Sequence, residues 1–290
     1  MKFMSKKEKL QKAIAVSMMM TNIFCTPVWA APVEGTPGAN GAAIVQNDDI
    51  SAGLNATYTA DNGTAGGDAP AGGIGGAGGN GGSVTINDTV TGTIGGAIEI
   101  TATGGDGAVG GIAKTDYTYD GPHGDSGAGG DSKVAVAVTG SGITTVNDIT
   151  VTAKAGSGST VYVYTINQSE GANGDEGGSA AAIGLQAAGS NTLVTITAAD
   201  VTISAEGGNG GFGVSSYSNG GVGGMGGAAE AYGLKAATNS LDLAINDIQV
   251  TASGGKGGKG GNGGDNGNIG DGNAAGVGGK AAVWGIEAVN

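Results

Sequence analysis

Residues able to do chemistry are few in this chain. The only histidine, His123, lies in Asp120-Gly121-Pro122-His123-Gly124-Asp125, where Asp120 or Asp125 could orient it as a base beside a nucleophile. Flanked by glycine and proline, it reads instead as an exposed loop residue. One histidine and one cysteine, Cys25, exclude a metal centre built from clustered Cys and His. Two fragments, Gly104-Gly105-Asp106-Gly107 and Gly263-Gly264-Asp265-Asn266-Gly267, have the flavour of calcium-binding nonapeptides but lack their register. Lys256 and Lys259 sit together in a glycine tract, yet neither is followed by Ser or Thr, as a phosphate loop requires. Carboxylate pairs of the glycosidase kind need a supporting platform, and Phe212, Trp284 and scattered Tyr make a weak one. Uronate lyase chemistry calls for a strong base, and the chain contains no arginine. No catalytic, cofactor-binding or metal residue is assigned. The chain reads as a non-enzyme without cofactors.

Composition narrows the rest. Sixty-five of 290 residues are Gly, and each Gly inside a helix costs roughly 1 kcal/mol against Ala, so β structure is expected. Residues 1–30 read as a signal peptide: Lys2, Lys6, Lys7, Lys9 and Lys12 precede the apolar stretch Ala13 to Phe24, and Val28 and Ala30 mark cleavage before Ala31. Phe24 before Cys25 is too large for a lipidation site, so Cys25 leaves with the signal. The mature chain then has no disulfide. Losing five lysines and one glutamate takes the formal charge from −13 to −17. Such a chain is a poor partner for nucleic acid.

The elements that would carry any site recur. Ala180–Ala188, Ala229–Ala237 and Ala281–Val289 superpose without gaps, their central glycines Gly184, Gly233 and Gly285 standing 49 and 52 residues apart. Ile183/Tyr232/Trp284, Leu185/Leu234/Ile286 and Ala187/Ala236/Ala288 alternate with the glycines and with Gln186/Lys235/Glu287, which predicts a strand with those apolar residues on one buried face. Two further strands are expected after each, as in Leu193–Ile196 then Asp200–Ala205, and Leu241–Ile245 then Asp247–Ala252. Thr144–Val146 precedes Asp148–Ala153 likewise, with a stretched earlier copy in Val84–Asp88 and Ile98–Ala102. Asp148, Asp200 and Asp247 become equivalent, and Asn147 and Asn246 before them suit a turn with a hydrogen-bonded ladder.

Each third strand is followed by a Gly-Gly-X tract, as at 72–82, 207–227 and 254–264. That rhythm could fit laterally bundled three-residue helices, but it is read as a disordered or loose low-complexity excursion. The fold class read from these features is all-β, a right-handed parallel β-helix of a few coils with long Gly-rich loops. Its divisions are a signal peptide at 1–30, a Gly-rich segment at 31–82 forming an irregular first coil, and β-helix repeats with Gly-Gly-X insertions at 83–290.

The basic signal, the Val28-Trp29-Ala30 cleavage site, the Thr/Val/Asn-rich repeats and the Asn147-Asp148-Ile149 and Asn246-Asp247-Ile248 turns together resemble the passenger region of Gram-negative autotransporters and adhesins. The run at 75–82 also looks like glycine-rich mycobacterial surface proteins. The autotransporter resemblance implies a secreted or outer-membrane-associated protein displayed outside the cell. Attachment or aggregation would be its function, with host or bacterial surface glycans or proteins as partners. A glycine-rich matrix or ice-binding protein, working through its Gly-Gly-X tracts, is the alternative. Since Ala288-Val289-Asn290 stops at a turn and no translocating barrel follows, the chain reads as part of a longer protein with its anchor missing.

Overall fold

The computed structural model describes residues 33–70, 73–91, 96–112, 124–139, 142–145, 147–159, 173–187, 194–214, 220–236, 241–261, 264–265, 268–269 and 274–288. The strands in chain order are β1 (Ile44–Gln46), β2 (Leu54–Thr59), β3 (Val84–Thr91), β4 (Ile98–Thr103), β5 (Ser132–Thr139), β6 (Gly142–Thr145), β7 (Ile149–Lys154), β8 (Ala180–Ala187), β9 (Val194–Glu206), β10 (Ala229–Ala236), β11 (Leu241–Ser253), β12 (Gly264–Asp265), β13 (Asn268–Ile269) and β14 (Ala281–Ala288). Among the described residues there is no helix, as the glycine content demands. Apart from the small antiparallel pair β12–β13, the described strands lie in two sheets of parallel strands. Sheet 1 runs β1-β3-β5-β8-β10-β14 and sheet 2 runs β2-β4-β7-β9-β11, with β6 also on β9. The chain passes alternately between them, which is consistent with a parallel β-helix or similar solenoid.

Like residues stack in register. In sheet 2, Leu54, Ile98, Ile149, Val201 and Ile248 form one row, and Ala56, Ile100, Val151, Ile203 and Val250 another. They meet Ile86, Val90, Val134, Leu185 and Leu234 of sheet 1 in a single core. Burying each large aliphatic side chain contributes about 1.5–3 kcal/mol. The turn between the sheets in the first repeat uses Gly53, whose φ of +89° suits glycine, with its N–H on the Ile50 carbonyl at 2.9 Å.

Three expectations need correction. In two repeats the second and third strands are one, since β9 and β11 each run through 13 residues of sheet 2, whereas β6 and β7 stay separate. Val84–Asp88 belongs to sheet 1, in register with Ser132–Val136, not with Leu193–Ile196. Ile183, Tyr232 and Trp284 do align, and so do Leu185, Leu234 and Ile286, but the two rows do not share a face. Pairing jumps from Ala135↔Ile183 to Ala137↔Gln186, so β8 carries an extra residue. That bulge turns both Gly184, against the Ile203 side chain, and the buried Leu185 toward the core. Ile183 and its equivalents go to the outer face.

The largest departure concerns the glycine tracts, which are packed rather than loose. A lead-in segment precedes each sheet 1 strand (34–43, 74–83, 124–131, 173–179, 220–228, 274–280), and a run-out segment follows the sheet 2 strands (60–69, 104–112, 155–159, 207–214, 254–261). Lead-in segments bond to one another every third residue, as Gly38 N–H to Ala77 at 2.7 Å and Gly78 N–H to Asp125 at 2.7 Å. Run-out segments do the same, Gly63 to Asp106 at 2.9 Å and Gly210 to Lys256 at 2.8 Å. The next glycine crosses between the two layers. Gly82, Gly105, Gly130, Gly156, Gly178, Gly208, Gly227, Gly255 and Gly279 form an unbroken file in which each N–H donates to the carbonyl of the glycine before it (Gly82 to Asp61), all at 2.8–2.9 Å. This period of three is that of polyproline II helices packed side by side. The reason is steric: a methyl built on Gly208 would overlap the Gly156 carbonyl oxygen.

Candidate functional site

The residues singled out for chemistry are not gathered into one place. Cys25, Asp120 and His123 lie outside the described residues, as do Gly263, Asn266 and Gly267. Asp125 is exposed on a lead-in segment, and its carbonyl serves Gly78. Lys256 donates its N–H to Asn209 Oδ1 at 2.9 Å, and its carbonyl and that of Lys259 accept from Gly210 and Gly213. Asp106 accepts the Ser157 N–H at 2.7 Å on Oδ1, and its own N–H goes to Asn62 Oδ1 at 2.8 Å. Side-chain ladders of this kind run along the X positions of the triplets. There, Asn40, Asn80, Asp131 and Asn173 also accept an N–H from the neighbouring repeat. These side chains finish the backbone hydrogen bonding that the glycines leave to solvent. Among the described residues no group of three His, Cys, Asp or Glu could hold a metal ion, and no helix is long and apolar enough to cross a membrane.

What remains are surfaces. On the outer face of sheet 2, Thr57, Thr101, Thr152, Ser204 and Thr251 form one row. Beside it run Asn55, Glu99, Thr150, Thr202 and Gln249, and on the other side Thr59, Thr103, Lys154, Glu206 and Ser253. Strand spacing sets about 4.8 Å between neighbours in a row, and two residues along a strand set about 6.7 Å between rows. The charged members are engaged within the rows: Lys154 lies 3.5 Å from Glu206, and Glu99 accepts from Asn55 at 2.7 Å. On the outer face of sheet 1, Tyr232 and Trp284 stack with centroids 4.3 Å apart and planes within 2°. Lys235 lies 4.6 Å from the Tyr232 ring centre and 3.2 Å from Glu287.

Two aspartates at the first repeat escaped sequence reasoning. Asp88 of β3 is fully buried: Oδ1 accepts the Asp48 N–H at 3.0 Å, and Oδ2 has no partner. Burial pushes this carboxyl above the ordinary value of 3.8, against the pull of the Asp48 N–H, and the Asp48 charge adds to the push. Asp49 is the reverse case, held below 3.8 by the Ser51 hydroxyl and N–H and by the Thr91 hydroxyl. A carboxylate between Ile86 and Val90 was the available signal for Asp88.

No protein-family model and no curated protein matches the chain. Among solved structures it is similar to the nine polyproline type II helical bundle springtail antifreeze protein from Granisotoma rainieri, at 17% identity over 90% of this chain and 98% of that one. The TM-score is 0.15.

Proposed function

We propose that this is a non-enzymatic secreted or cell-surface protein, a right-handed parallel β-helix of the adhesin and autotransporter-passenger kind, working in attachment or aggregation. Crossovers between parallel strands of one sheet are right-handed in about 98% of cases, which supports that hand. The observation that carries the functional reading is the glycine file. It satisfies the backbone of one repeat by the next, while the strand register sets side chains in regular rows on the outer face of sheet 2, a construction suited to displaying surface rather than enclosing substrate. Residues 31–290 coupled to beads should bind cells or surface glycans saturably. Lysines introduced together at Thr101, Thr152 and Thr202 should lower that binding at least several-fold without changing the circular dichroism. Failure of the folded protein to bind any cell, glycan or second bead would remove this reading.

The second reading, an ice-binding or matrix protein, is favoured by the two-dimensional repeat of hydroxyls on sheet 2 and by the ordered triplet layers. Thermal hysteresis by the folded chain, lost in the same lysine variant, would establish it in place of adhesion.

A further inference from the structure

Asp88 occupies a core position. Its alternation neighbours Ile86 and Val90 are buried, and its register partner in β5 is the buried Val136. An apolar residue would satisfy packing there, whereas a carboxylate brings an oxygen, Oδ2, that nothing meets. The segment seated over it is held by bonds on either side: Thr89 N–H to the Asp48 carbonyl at 2.8 Å, Ile50 N–H to the Thr89 carbonyl at 2.9 Å, and Asp48 N–H to Asp88 itself. Among the described residues, the titratable groups acting on Asp88 are the Asp48 carboxylate and, from β2, the Tyr58 hydroxyl, with no cation among them. Lys133 of β5 and Glu99 of β4 are exposed on the solvent side of their strands, and Asp49 is engaged by Ser51 and Thr91.

We propose that Asp88 is a proton-operated lock for the first repeat: carrying a proton from solvent it holds residues 48–59 on the stack, and ionised it loosens them, while later repeats are unaffected. The sign follows from linkage. The seated form holds the Asp88 proton more tightly than the open form, whose carboxyl returns toward 3.8. Seating therefore strengthens as pH falls from above the raised value toward 3.8 and gains nothing further below it, by up to about tenfold per pH unit within that window.

Hydrogen exchange of the full mature chain between pH 8 and pH 4.5, corrected for intrinsic rates, tests this. Residues 48–59 should open less often as pH falls, and residues 201–205 and 229–234 should not respond. In Asp88→Asn, which keeps the acceptor for Asp48, residues 48–59 should stay closed throughout. A wild-type opening independent of pH overturns the proposal, and so does an Asp88→Asn chain that keeps the wild-type profile. Should that variant not fold, Asp48→Asn removes a neighbouring charge and must move the transition to lower pH; an unmoved transition is again fatal. Millimolar calcium closing residues 48–59 at pH 8 through Asp88 would make this a cation site and overturn the proton lock.

Discussion

Gly79 and Asn80 stand side by side in one triplet with opposite tolerances. A methyl on Gly79 would overlap the Ala39 carbonyl oxygen, which is backbone and cannot turn aside. Gly79→Ala should therefore cost about 3 kcal/mol or more. Asn80 is exposed and contributes only an acceptor for the Ala128 N–H at 3.0 Å, so Asn80→Ala should cost about 1 kcal/mol or less. Urea unfolding of the two variants checks the contrast, and near-equal midpoints would contradict the packed layers. Asp49 and Asp88 make a second residue-scale prediction. The depressed Asp49 contributes stability above 3.8 that is lost as pH falls through its lowered value. Asp88 acts oppositely and in a higher window, its contribution growing as pH falls toward 3.8. Where these two groups dominate, the urea midpoint should rise from neutral pH toward about 4 and fall below it, and Asp88→Asn should remove the rise alone.

Single strands show what the stacking is worth. Leu234 of β10 and Ile286 of β14 are register partners, yet Leu234 is 1% exposed and Ile286 52%. Leu234→Ala should cost about 2–5 kcal/mol, whereas Ile286→Ala should cost no more than about 1 kcal/mol, as judged by thermal unfolding. The rows themselves were legible in the sequence, because equivalent strand positions in neighbouring repeats carry similar apolar residues. The inversion of the Ile183–Tyr232–Trp284 row was not. It depends on one bulge beside Gly184, and strict alternation cannot register an extra residue. Asn87-Asp88 misled for a related reason, sharing its dipeptide with Asn147-Asp148 and Asn246-Asp247, whose aspartates are exposed while Asp88 is buried inside β3. The glycine layers left their period in the sequence but not their packing. Their hydrogen bonds are made by backbone, most of them to partners in another segment or repeat, so no side-chain pattern distinguishes an ordered tract from a loose one.

Across the stack, stability is divided among neighbours. Each repeat bonds to the one before and the one after, so cooperativity depends on every interface passing it on, as in other repeat proteins. Gly156 is a middle member of the glycine file: it donates to Gly130 and accepts from Gly178, each at 2.9 Å. A methyl there would overlap the Gly105 carbonyl oxygen. Gly156→Ala therefore strikes the interfaces between the second, third and fourth repeats and leaves those at either end intact. In one-dimensional coupling, weakening a central interface separates the array into two blocks that unfold independently. The wild-type chain should unfold in urea as a single transition by circular dichroism, and Gly156→Ala in two. Hydrogen exchange should then assign the blocks, with residues 84–103 opening apart from residues 201–236. A single transition merely shifted to lower urea would mean that the two β-sheets, not the glycine layers, carry the coupling along the stack.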